Sequence, residues 1–161
     1  VEHMSKTEKA FEELWDPYAG QYFSRDFITH RLLKIPTVAT LLPLYAGNIT
    51  QERADILVKL LENEGSFGPA YPVPSVSLDS EWFNSKLYWQ GPSWVNINWL
   101  IIDGLRRYGF YDHADILRES TLEMVNKNGC NEYFDPITGE AAGASNFSWT
   151  AALAIDLLKT K

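Results

Sequence analysis

Apolar residues along the chain fall into six blocks with helical spacing, and the blocks are of two kinds. The first spans 5–15, with Ala10, Phe11 and Leu14 set among Lys and Glu. The second, 36–46, is almost wholly apolar and opens on Pro36, which suits a first helical turn. The third, 51–63, is amphipathic, with Thr50 as its N-cap. The fourth, 92–108, is apolar nearly all round. The fifth, 111–126, carries Ala114, Leu117, Thr121, Leu122 and Val125 on one face, and the sixth, 146–158, is again mostly apolar. A helix with one apolar stripe lies on the outside of a fold; one apolar all round is buried. Outer and inner helices therefore alternate, which predicts an all-α architecture of two concentric layers.

The connections alternate as well. Inner-to-outer links are short, 47–50 and 109–110, whereas outer-to-inner links are long, 16–35, 64–91 and 127–145. Successive antiparallel helices put every long link on one face, where functional residues concentrate. A weak internal repeat lies in two of these links. Trp15-Asp16-Pro17-Tyr18-Ala19-Gly20 parallels Phe134-Asp135-Pro136-Ile137-Thr138-Gly139, an Asp-Pro-x-x-Gly turn signal after an aromatic. Gln21-Tyr22-Phe23 then reads as a short strand that closes a hairpin. Val1, Met4, Phe11 and Leu14 already share helical spacing. The chain thus reads as starting inside a helix, as a piece of a longer protein or with residues 1–4 as an appended remnant.

Composition narrows the function. A length of 161 residues points to one domain. With 14 basic against 21 acidic residues and a net charge of −7, a nucleic-acid surface is disfavoured. No apolar run reaches the ~18 residues of a membrane span. The single Cys130 cannot form an internal disulfide, and no secretory apolar stretch opens the chain, so a cytoplasmic, reducing setting is expected. Aromatics make up 14% of the residues. They fill cores, and they also line sugar sites, where the apolar face of a sugar lies on the ring.

The second long link ends in Tyr88-Trp89-Gln90-Gly91-Pro92-Ser93-Trp94, in which Gly91 permits a close backbone approach. Trp89 and Trp94 either form a sugar platform, with Gln90 bonding hydroxyls, or staple a helix N-terminus as core. The third link holds Glu132, Asp135 and Glu140. Loop carboxylates are normally solvated. Glu132 differs in lying between Cys130 and Tyr133-Phe134, and a carboxylate partly withdrawn from water is a stronger base. Asp135 is expected to serve its own turn, and Asp103 and Asp156, inside apolar helices, to be paired structural acids. Asp79 and Glu81 are weaker candidates. His3, His30, His113 and Cys130 lack metal-ligand spacing. No Gly-rich phosphate loop precedes a helix, and Ser148 follows Phe147 rather than the glycine of a nucleophile elbow. No metal or cofactor is expected.

The segment from Tyr88 to Leu100 resembles the Tyr-Trp-Arg-Gly-Pro-x-Trp-x-Asn-x-Asn-x-Leu segment of glycoside hydrolase family 63 and its relatives, the α-glucosidase I-like and mannosylglycerate or glucosylglycerate hydrolase-like enzymes. So does Glu132-Tyr133-Phe134-Asp135-Pro136-Ile137-Thr138-Gly139, followed by Gly143-Ala144 and Phe147-Ser148-Trp149-Thr150. The resemblance runs in order over nearly the whole chain. It implies that residues 1–161 are the C-terminal half of an (α/α)6 toroid, twelve helices in two rings. It also implies inverting hydrolysis of an α-glucoside or α-mannoside, with Glu132 as general base. Tyr88, Trp89, Gln90, Trp94 and Trp149 would shape the sugar subsite. The family's general acid, an Asp in an earlier loop, has no matching segment here, so the chain alone is expected to be inactive. Its expected partners are a carbohydrate and either the missing half of the toroid or a second copy. Gln90 stands where the commonest pattern has Arg, which tilts the substrate towards a small solute or oligosaccharide and away from a protein-bound glycan. The alternative is a non-catalytic sugar-binding or assembly module that keeps the half-toroid.

Overall fold

The computed structural model describes residues 2–159. Val1, on which the reading of a chain starting inside a helix partly rests, lies outside the described residues. Six α-helices run through the described residues: α1 (Glu2–Glu12), α2 (Leu42–Ala46), α3 (Gln51–Glu62), α4 (Val95–Arg107), α5 (Tyr111–Asn128) and α6 (Ser148–Lys159). Three antiparallel two-stranded ribbons join them: β1 (Trp15–Asp16) with β2 (Gln21–Tyr22), β3 (Ser24–Arg25) with β4 (Leu32–Leu33), and β5 (Asn131–Phe134) with β6 (Ala141–Ser145). The all-α expectation is therefore corrected: helices dominate, and the ribbons lie in the long connections. None of the described helices is long and apolar enough to cross a membrane.

α4 is the central element. It packs against α2 on one side and α6 on another, while α5 lies across both α4 and α6. The even-numbered helices thus form a contiguous row. Ile101, Ile102 and Leu105 of α4 meet Leu41, Leu44, Leu57, Phe67 and Leu117 in one buried cluster. α3 contributes Ala54, Leu57 and Val58 to the same core, and its N-terminus is capped as expected, the Arg53 amide donating to the Thr50 hydroxyl. Arg53 also ties the first long connection to α3. Its guanidinium donates to both carboxylate oxygens of Glu12 and to the Tyr22 hydroxyl, and lies 4.8 Å from the centre of the Trp15 ring.

Several helix boundaries differ from the sequence reading. α1 ends at Glu12 because Trp15 and Asp16 leave it to pair with Tyr22 and Gln21. The block 36–46 is not one helix but a 3-10 turn, Val38–Thr40, followed by the short α2. Its first residues pair sideways instead: the Val38 amide donates to the Ser75 carbonyl, and the Ser77 amide to the Pro36 carbonyl. Pro43, which has no N–H to give, then falls at the start of α2. α4 begins at Val95 rather than Pro92 because Ser93 is extended, its N–H and C=O both bonded to Phe134. α6 buries Thr150, Ala154 and Leu157, yet Trp149, Ile155 and Leu158 are exposed, so this helix is not enclosed as its sequence predicts.

The long connections meet through backbone pairing. Isolated bridges link Thr37 to Val76, Pro74 to Ser93, and Ser93 to Phe134; the first and third join successive connections, and the second closes the connection between α3 and α4 on itself. A buried amide fixes this seam to the helices. The Asn98 side chain accepts from the Val73 amide (3.0 Å) and donates to the Pro72 carbonyl (2.7 Å) and the Thr121 hydroxyl of α5 (3.0 Å). Asn98 and Ser93 are both fully buried.

The two Asp-Pro-x-x-Gly segments form matching hairpin turns. Asp16 Oδ1 accepts from the Tyr18 and Ala19 amides, and Asp135 Oδ1 from those of Ile137 and Thr138. The Gly20 and Gly139 amides donate to the carbonyls of the same two aspartates. Burial pushes the Asp135 carboxyl up, but the Ser85 hydroxyl and the two turn amides outweigh it and hold it below the usual aspartate value.

Two outcomes follow for stability. A carboxylate held low in the folded state stabilises the fold fully above its unfolded value and loses that contribution as pH falls through the folded one. Asp135→Asn should therefore cost about 1 kcal/mol at neutral pH. That gap should close below the ordinary value of 3.8, as read by urea melts across pH; a gap unchanged down to pH ~2 contradicts the assignment. Asn98→Ala strands several buried polar groups and should cost about 3 kcal/mol by the same melts.

Candidate functional site

Glu132 lies in β5, half-buried, at the far end of the seam. Its local geometry comes from an irregular ribbon. Asn131 pairs with Ser145 and Tyr133 with Ala142, so two residues, Gly143 and Ala144, oppose the single Glu132. Such a bulge leaves one residue out of the ladder and re-aims its groups. The Ala144 amide turns to Glu132 and donates to Oε2 at 3.1 Å. Gly143 makes this possible twice over. Its φ is +73°, and a Cβ there would come within 2.7 Å of both the Glu132 carboxylate and the Tyr133 ring.

The other carboxylate oxygen faces the second connection. The Tyr88 hydroxyl donates to Glu132 Oε1 at 2.8 Å. That bond, with partial burial, pushes the Tyr88 phenol up, so the hydroxyl stays a donor. Tyr88 belongs to an aromatic cluster. Its ring stands edge-on to Trp94 (4.9 Å) and Tyr133 (5.5 Å). Trp89 stacks flat on Trp94, with ring centres 4.1 Å apart and planes 6° from parallel. Trp94 is only 2% exposed and donates its indole N–H to the Tyr88 carbonyl, whereas Trp89 is 44% exposed. Of the two tryptophans, Trp94 is thus the buried support and Trp89 the open ring.

The structure brings Tyr88, Trp89, Trp94 and Glu132 together. Gln90 is exposed beside them, its backbone N–H and C=O closing the loop through Leu87 and Asn84. Trp149, at the start of α6, is exposed and makes its ring contact with Phe147; among the described residues it has no ring contact with the cluster. Tyr133 and Gly143 are site-forming residues that sequence reasoning did not single out. Their signal was the adjacency of Tyr133 to Glu132 and the glycine in a strand, a mark of a bulge.

Three of the other acids have structural partners. Asp103 pairs with Arg107 at 3.1 Å, and Asp156 accepts the indole N–H of Trp99 at 2.7 Å, both as expected of paired structural acids. Asp79 accepts from the Ser77 hydroxyl. Among the described residues no group of three His, Cys, Asp or Glu gathers as a metal site.

A family model, the mannosylglycerate hydrolase MGH1-like glycoside hydrolase domain, matches residues 2–150. The chain is 40% identical over 154 residues to a mannosylglycerate hydrolase of Thermus thermophilus, covering 96% of this chain and 37% of that protein. It is 33% identical over 152 residues to a glucosylglycerate hydrolase of Mycolicibacterium hassiacum, covering 91% and 34%. The crystal structure of a family 63 mannosylglycerate hydrolase from Thermus thermophilus in complex with Tris superimposes with a TM-score of 0.89 at 40% identity, over 94% of this chain and 36% of that one. A neutral trehalase from Saccharomyces cerevisiae shares the fold, with a TM-score of 0.75 at 23% identity, over 98% and 30%. The chain spans about a third of the length of these relatives. By its sequence, its backbone and the reach of the family model, the chain belongs to the mannosylglycerate hydrolase MGH1-like glycoside hydrolase domain family.

Proposed function

We propose that this chain is the C-terminal half of an (α/α)6 catalytic domain that hydrolyses an α-glucoside or α-mannoside with inversion, and that Glu132 is its general base. The observation that carries the reading is the carboxylate of Glu132, a half-buried residue, held beside the exposed Tyr88 and Trp89 where the long connections meet. Inverting hydrolysis uses two carboxyl groups about 6.5–9.5 Å apart, with a water between one of them and the sugar. Glu132 takes a proton from that water as the water's oxygen bonds to the anomeric carbon. The bond to the leaving oxygen breaks, and a second carboxylic acid, supplied by the preceding part of the domain, protonates it. Trp89, backed on one side by Trp94, offers its exposed surface to a sugar, with Gln90 and Trp149 completing the subsite.

The relatives named for mannosylglycerate and glucosylglycerate favour a small glycosyl glycerate as substrate. The exposed apolar residues Ile155 and Leu158 of α6 support a partner surface. In this reading the remaining helices of the toroid, or a second copy of the chain, cover it. The free Cys130 suits a reducing, cytoplasmic setting.

Sugar release from α-mannosyl and α-glucosyl glycerate tests the base assignment. In the protein expressed with its full reading frame, Glu132→Gln should lower kcat by about 10²–10⁴-fold with little change in KM. A variant that keeps the wild-type rate overturns the assignment.

A further inference from the structure

The two oxygens of Glu132 are held by different parts of the chain. Among the described residues its donors are the Ala144 amide and the Tyr88 hydroxyl, and no lysine or arginine pairs with it. Tyr133 is the other titratable side chain beside this pair. The Ala144 donor is fixed by the bulge. The Tyr88 donor is fixed just as firmly, although half of that residue is exposed. Its loop is closed by the Asn84 amide donating to the Gln90 carbonyl at 2.8 Å. Gly91 lets the two ends of the loop touch, since a Cβ there would lie 2.6 Å from the Asn84 backbone. The Tyr88 carbonyl is held by Trp94, and its ring by the edge-on contacts with Trp94 and Tyr133. A ring held in one plane aims its hydroxyl in one direction. One donor on each oxygen in turn fixes the plane of the carboxylate.

We propose that Tyr88 is a positioning residue, whose hydroxyl orients Glu132 so that the remaining lone pairs of the carboxylate face the attacking water. This assigns Tyr88 to the base rather than to the sugar, and it rests on the reading of Glu132 as that base. No proton leaves Tyr88 in the step: the water's proton goes to a free lone pair of Glu132, and the phenol remains a donor throughout.

The test is Tyr88→Phe in the protein expressed with its full reading frame. The change keeps the ring and its packing while removing the hydroxyl. A donor to a charged group is lost, so kcat should fall about 10–100-fold with KM changed by less than about 2-fold. In the Glu132→Gln background the same substitution should cost nothing further, because its effect runs through the carboxylate. Incorporation of 3,5-difluorotyrosine at position 88 gives a second reading. It keeps the ring and the donor but makes the phenol more acidic, so kcat should stay near wild type at low pH and fall as the phenol ionises. A raised KM at unchanged kcat, a full additional loss in the Glu132→Gln background, or a flat alkaline limb with difluorotyrosine overturns the proposal. If Glu132→Gln is inactive while Tyr88→Phe behaves as wild type, the positioning role alone fails. If Glu132→Gln keeps its rate, the base reading fails and this proposal falls with it.

Discussion

The amide of Asn98 sits in the core, closed off from solvent, and ties the second long connection and α5 to α4. It takes the Val73 N–H and gives hydrogens to the Pro72 carbonyl and the Thr121 hydroxyl. Thr121 in turn donates to the Leu117 carbonyl one turn back along α5. A buried amide left without these partners is far more costly than the bonds are individually worth. The arrangement therefore specifies a single docking of the second long connection onto α4 and α5. Hydrophobic burial in the central cluster supplies the driving force but is non-directional, and would tolerate small slips of that connection. The amide does not.

The site is built on this fixed seam. Ser93, fully buried just before α4, pairs with Pro74 on one side and Phe134 on the other. Phe134 ends the strand that carries Glu132, so α4, the second connection and the β5–β6 hairpin share one frame. From that frame the chain reaches Glu132 by two routes. The hairpin bulge brings the Ala144 amide to one oxygen, and the loop closed at Gly91 brings the Tyr88 hydroxyl to the other. Local precision at the carboxylate thus depends on a packing decision made more deeply, at Asn98.

Much of this was legible in the sequence. Periodicity located the six helices, and the capping threonine fixed the start of α3. The two Asp-Pro-x-x-Gly turns were readable because each aspartate bonds amides only two and three residues ahead. What periodicity could not show was pairing between distant segments. Ser93 and Val38 lie in blocks of helical pattern, yet their backbone groups are claimed by Phe134 and Ser75. At the site, the motif pointed to Glu132 and to the aromatics, but Trp89 and Trp94 are alike in sequence and opposite in exposure. Burial of one by the other is a property of the folded loop. The Gly143 bulge was hidden for the same reason: it exists only in the register between two strands. The exposed residues of α6 read as core because apolar pattern records what a helix is fit to bury, whether or not the covering surface lies within these residues.

The central claim is that Glu132, held by Tyr88 and Ala144, acts on a water rather than on the sugar. The stereochemistry of the product reports this directly. Proton NMR of the first turnovers on an α-glycosyl glycerate, in the protein expressed with its full reading frame, should show the β-anomer of the released sugar appearing before mutarotation. Initial release of the α-anomer would mean net retention, with a carboxylate attacking carbon instead of deprotonating water, and would contradict the account.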